Sequence, residues 1–152
     1  MLRKKRKLLK SEKGFTLIEL LAVIVILAII AAIAIPAIAH IIKNSRVDAI
    51  KSDATQVLEA AKLYVADNGV PSDNDLSASD LAPYIDTDVK KLNDSGADAY
   101  HVAVTEDNNT VTYKFSGKGT DGNVTVTFTD ATLNDINSAS KGQISITGST
   151  GD

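Results

Sequence analysis

Sixteen apolar residues follow one another without a break from Leu20 to Ile35. Between Phe15 and Ala39 only Thr16, Glu19 and Pro36 interrupt the run. A helix needs roughly 20 mostly apolar residues to cross a bilayer, so residues 15–39 are expected to span one. Past Pro36 the pattern turns amphipathic. Val47, Ile50, Ala54, Val57, Ala61 and Tyr64 step by threes and fours, and Leu58 and Val65 widen the stripe enough to pack on a sheet. Asp48, Lys51, Asp53, Glu59 and Lys62 lie off it. Asn68-Gly69 followed by Pro71 is a helix stop signal. The prediction is one helix from Phe15 to about Asn68, roughly 80 Å long, of which only half can cover a small soluble domain.

Beyond Pro71 the chain reads as a polar loop (72–75) and then a short helical turn over about Ser77–Tyr84. Ser77 is its cap, with Asp80 three residues on. Residues 86–98 read as loop. The period then becomes two. Tyr100, Val102 and Val104, then Val111, Tyr113 and Phe115, then Val124, Val126 and Phe128 alternate with polar or small residues, and Ile144 and Ile146 form a shorter run. Each run predicts a strand with one buried face. Asp107-Asn108-Asn109 and Gly117–Asn123 suit hairpin turns, and 130–142 reads as surface loop. The fold class is α+β: a long N-terminal helix, half membrane and half amphipathic, on a three- to four-stranded antiparallel sheet.

Charge sharpens this division. The net charge is −3, yet residues 1–14 hold seven Lys/Arg and one acid, and residues 15–152 hold nine basic and eighteen acidic residues. The basic cluster should keep the N-terminus cytoplasmic, with residues after about Lys43 emerging on the other side. An acidic mature part argues against nucleic-acid binding as the main task. There are no cysteines, so disulfides, thiolate metal sites and cysteine nucleophiles are excluded. An ionisable group within an apolar span costs about 2.5–3.5 kcal/mol at full depth, which makes Glu19 a functional candidate.

The segment Lys13-Gly14-Phe15-Thr16-Leu17-Ile18-Glu19-Leu20 resembles the class III signal of type IV prepilins and pseudopilins. The resemblance covers about the first third of the chain. It implies that a membrane peptidase cuts after Gly14 on the cytoplasmic side and methylates the new N-terminal Phe15. Gly14 and Phe15 are then the cleavage residues, and Phe15, Glu19 and Pro36 the assembly residues. Pro36 matches a proline common 21 residues after the junction, whereas Ala28 stands where a glycine is common. Physically, the cut removes +6 of charge that would resist passage through lipid and frees an α-amine at Phe15. That amine can pair with Glu19 within one chain, four residues apart, or between neighbouring copies, which would set their axial register.

The resemblance further implies a pilin-like lollipop: leader 1–14, polymerisation helix 15–39, amphipathic helix 40–68 and head 69–152. The implied function is a type IV pilus subunit serving adhesion, twitching motility or DNA uptake. A pseudopilin of a type II secretion or competence machine is the alternative, and lack of a disulfide, unlike many Gram-negative major pilins, points to a Gram-positive pilin or a pseudopilin. Partners would be further copies of itself, the prepilin peptidase/methylase, an assembly platform with motor ATPases, membrane lipid before assembly, and DNA or host surfaces. The precursor would sit in the cytoplasmic membrane and the product in an extracellular filament. A competing reading, a secreted domain released after Ala37-Ile38-Ala39, has the small-x-small pattern in its favour and Glu19 against it. No catalytic constellation, cofactor or metal site is expected. His40 and His101 are far apart, and the oxygen-rich Asp73-Asn74-Asp75 and Asp121-Gly122-Asn123 lack full calcium-loop spacing.

Overall fold

A computed structural model describes residues 16–85 and 89–149. It contains two compact units, 1–39 and 40–152. Helix α1, Leu17–Asn68, runs through both. Between Leu17 and Ala39 the large apolar side chains are exposed: Leu17 keeps 88% of its surface and Ile33 71%. Pro36 lies inside α1, where its missing N–H removes one backbone bond from the ladder. The helix ends where Asn68-Gly69 predicts. Gly69 takes φ 83°, a left-handed conformation cheap only for glycine, and its N–H donates to the Val65 carbonyl at 2.8 Å.

In the second unit α1 packs on a five-stranded sheet. The strands are β1 (Asp75–Ser77), β2 (His101–Asp107), β3 (Thr110–Asp121), β4 (Val124–Ala131) and β5 (Ser145–Thr147), in spatial order β1-β2-β3-β4-β5. The α+β class is as expected from sequence. The sheet is wider, because Asp75–Ser77 adds an edge strand. It is also mixed, because β5 pairs parallel to β4. A parallel pair needs a crossover, and helix α3 (Leu133–Ser138) provides it. The loop expected over 130–142 is therefore corrected. Thr132 accepts the Asp135 N–H while Asp135 accepts the Thr132 N–H, a reciprocal cap, and Ile136 anchors the turn in the core. Helix α2 (Ala78–Leu81), continued by a 3-10 turn over Ala82–Tyr84, has the expected Ser77–Asp80 box.

The period-two runs bury the predicted faces of β2 and its approach (Tyr100, Val102, Val104) and of β4 (Val124, Val126, Phe128); on β3 only Phe115 of the predicted face is fully buried, while Val111 and Tyr113 are half-buried against the core. Asn108 and Asn109, both with positive φ, form the two-residue β2–β3 turn that such residues favour. The next turn is shorter than the predicted 117–123 segment. β3 continues to Asp121, leaving only Gly122-Asn123 between the strands. Gly119 lies inside β3, where a Cβ would collide with Ile50 of α1. Ile144 sits outside the final strand and is half exposed, while Ile146 is buried.

Two charges expected off the α1 stripe are instead buried, Lys51 at 9% and Asp53 at 8% exposure. Each is satisfied by backbone of a distant loop. The Lys51 ammonium donates to the Ala139 and Ser140 carbonyls at 3.0 and 3.2 Å. Asp53 accepts the Lys91 N–H at 3.2 Å. Leu92 of that loop forms a bridge with Gly119, so Asp53 ties a strap to the helix that covers the β3 edge.

Candidate functional site

Glu19 is three residues past Thr16, the residue preceding α1, and this spacing makes a cap. The Thr16 N–H and hydroxyl both donate to Glu19 Oε2 at 2.8 Å. The Glu19 N–H donates back to Thr16 Oγ1 at 3.3 Å. This is the reciprocal capping box: two N–H groups that open a helix without intrahelical partners are satisfied, and an anion sits at the positive end of the helix dipole. From sequence Glu19 reads as a partner for the Phe15 amine; the Thr-x-x-Glu spacing before an apolar run carries the capping signal as well.

Gly14 and Phe15 lie outside the described residues.

Around this group the helix is uniformly apolar. No residue of its most apolar 18-residue window is buried within the chain, and its length and composition suffice to cross a membrane. Leu20, Ile24, Leu27, Ile30 and Ile35 keep more than half their surface. Such an area in contact with water would be strongly unfavourable, at about 25 cal/mol per Å2. Lipid or other apolar chains must cover it.

The remaining sequence candidates belong to the second unit. Asp73 and Asn74 lead into β1, which Asp75 begins, and Asp121 ends β3 before the Gly122-Asn123 turn; Asn123 accepts from Arg46 Nη1 at 2.9 Å. Among the described residues no three His, Asp or Glu side chains converge as a metal site would require. His101 is exposed on the outward face of β2.

Residues 9–35 match the family model of the prokaryotic N-terminal methylation motif. Neither a curated protein nor a solved structure matches the chain.

Proposed function

We propose that this chain is the precursor of a type IV pilus subunit. The methylation motif supports a type IV pilin or pseudopilin, processed by a prepilin peptidase and assembled into a pilus-type polymer. In our reading the peptidase cuts between Gly14 and Phe15 and methylates Phe15. Before the cut, residues 15–39 anchor the chain in lipid with the leader on the cytoplasmic side; after it, they stack against the same segment of other copies. Residues 40–152 form the domain that covers the outside of the filament and meets surfaces, other cells or DNA. The observation that carries this reading is an unburied apolar stretch of α1 whose first turn holds one capped carboxylate, Glu19, inside the matched motif.

Assembly follows from three physical steps. Removing residues 1–14 takes away seven cations and one anion, the charge that resists withdrawal from the bilayer. The new Phe15 amine gives Glu19 of an adjoining copy an opposite charge. Unpaired, that carboxylate would be buried among apolar helices at a cost of about 3–5 kcal/mol, so only staggers that join amine and carboxylate are favourable. Pro36 gives the helix a point of lower backbone hydrogen bonding at which it can bend as copies pack. Mass spectrometry of sheared surface material tests the reading: it expects a first residue Phe15 bearing one added methyl group. Material beginning at Met1 or His40 would refute it. Long surface fibres in electron micrographs would separate the pilus from a short envelope-bound pseudopilus.

A further inference from the structure

A group of cations surrounds α1 where it leaves the apolar segment. Ile41 and Ile42 are exposed, and Lys43, also exposed, is the first charged side chain after Glu19. Two loops reach the helix just beyond. Asn123 accepts from Arg46 at 2.9 Å, and Gly122 lies so close to the Arg46 guanidinium that a Cβ would collide with it. On another side Gly142 lies equally close to the Asn44 side chain, which places exposed Lys141 beside it. The Lys51 ammonium holds the Ala139 and Ser140 carbonyls of that loop, so its position is fixed. Lys43, Arg46 and Lys141 therefore share one end of the second unit. Asp48 and Asp121 are the acids at this end. The rest of residues 40–152 carries six basic and fifteen acidic side chains.

We infer that this end is a docking surface for the headgroups of anionic phospholipids. The inference rests on the membrane reading given above. Residues Leu20–Ile42 form about 34 Å of helix, enough to cross a hydrocarbon core of roughly 30 Å with some tilt. The polar layer beyond is about 5–7 Å deep. Arg46 lies three residues past Lys43, about 4.5 Å along the axis, so both fall within that layer. The 122–123 turn and the 141–142 loop are held at the same level by their contacts with Arg46 and Asn44. Lysine and arginine suit this position, because each gains about fivefold in binding near an anionic surface. The acidic remainder of the domain is repelled by the same surface, so this end is the part of residues 40–152 that an anionic surface attracts. Withdrawal of a copy from lipid must then break these headgroup contacts as well as remove the apolar helix.

The full chain, inserted in vesicles, tests this with a membrane-impermeant amine-acylating reagent and mass spectrometry of each lysine. One set of vesicles is phosphatidylcholine alone and the other includes phosphatidylglycerol. Lys43 and Lys141 should react about fivefold more slowly in the anionic set, and this protection should vanish in 1 M salt, where charges are screened beyond roughly 3 Å. Lys62 and Lys118, paired with Glu59 and Asp98, should react alike in both. Equal rates for Lys43 and Lys141 in the two lipids would overturn the inference. Protection in both lipids that rises with protein density would overturn it too, and would assign the surface to a second copy. A chain that alkaline carbonate strips from both vesicles refutes the membrane reading itself; one that is retained but labels equally refutes only the headgroup contact.

Discussion

Replacing Glu19 by glutamine or by alanine separates its cap on α1 from the pairing proposed for it. The Thr16 N–H and hydroxyl bonds to Oε2, both 2.8 Å, can be accepted by a glutamine amide oxygen, so Glu19→Gln keeps the cap. Glu19→Ala removes it, at a cost of about 1 kcal/mol, or roughly fivefold in helix start stability. Both remove the anion. If the anion pairs with a buried amine of an adjoining copy, its loss leaves that cation unpaired, at about 3–5 kcal/mol per contact. That is a factor of roughly a hundred to several thousand in the equilibrium for adding a copy. The assay compares sheared filament with processed chain remaining in the membrane, with mass spectrometry confirming a Phe15 start in each variant. The pairing account expects both variants to be processed and neither to yield filaments at more than about a hundredth of the wild-type level. Wild-type filament yield from Glu19→Gln, with Glu19→Ala impaired, would show that only the cap matters and would refute pairing.

Other consequences follow from the second unit. Thr132→Ala should lower its stability by about 1 kcal/mol through loss of the α3 cap, seen as a lower thermal midpoint; no change would mean the crossover is held by Ile136 alone. Asp80 and Asp135 are held below the ordinary aspartate range, chiefly by the Ser77 and Thr132 hydroxyls and then by the backbone N–H groups of those residues. Depressed folded-state values mean a contribution present above the ordinary aspartate pKa of 3.8 and lost as pH falls through the lower folded values. Acid unfolding below about pH 4 should therefore become shallower in a Ser77→Ala, Thr132→Ala double variant, and an unchanged acid limb would contradict this. Lys51→Met should cost about 1.5–3 kcal/mol by removing charge-assisted bonds to the 139–140 carbonyls, with faster amide exchange confined to that loop; uniform exchange would argue against a local clasp. Gly119→Val should destabilise by about 1–3 kcal/mol through collision with Ile50, and a smaller residue at position 50 should restore part of the loss.

Much of the fold was legible because its signals are local. Asn68-Gly69 ends α1 by backbone conformation alone, Asn108-Asn109 makes a turn of two left-handed residues, and Ser77 with Asp80 caps a helix through atoms three residues apart. The missed elements depend on distant partners. Asp75–Ser77 is too short to show a period and becomes a strand only because β2 offers an edge. The direction of β5 depends on α3, whose Thr132–Asp135 box has the same form as the Ser77–Asp80 box but lies in a stretch with few apolar residues. Lys51 and Asp53 read as solvent-facing because periodicity scores side-chain polarity, and the carbonyls and amide that satisfy them are 38 to 89 residues away. At the helix start the carboxylate was legible as an anomaly in an apolar run. Its bond to Thr16 is written in the Thr-x-x-Glu spacing, a signal as local as the other caps.

In the proposed filament the apolar half of α1 packs against the same segment of other copies. The absence of cysteine in the chain allows a direct measurement: single cysteines placed by Ile24→Cys or Ile33→Cys, oxidised in sheared surface material and in membranes. The account predicts disulfide-linked dimers from at least one of these positions in the sheared fraction, and none in a variant whose bulky residue at Gly14 blocks leader removal. Filaments in which neither position cross-links, while a cysteine on the outward face of the sheet does, would contradict it.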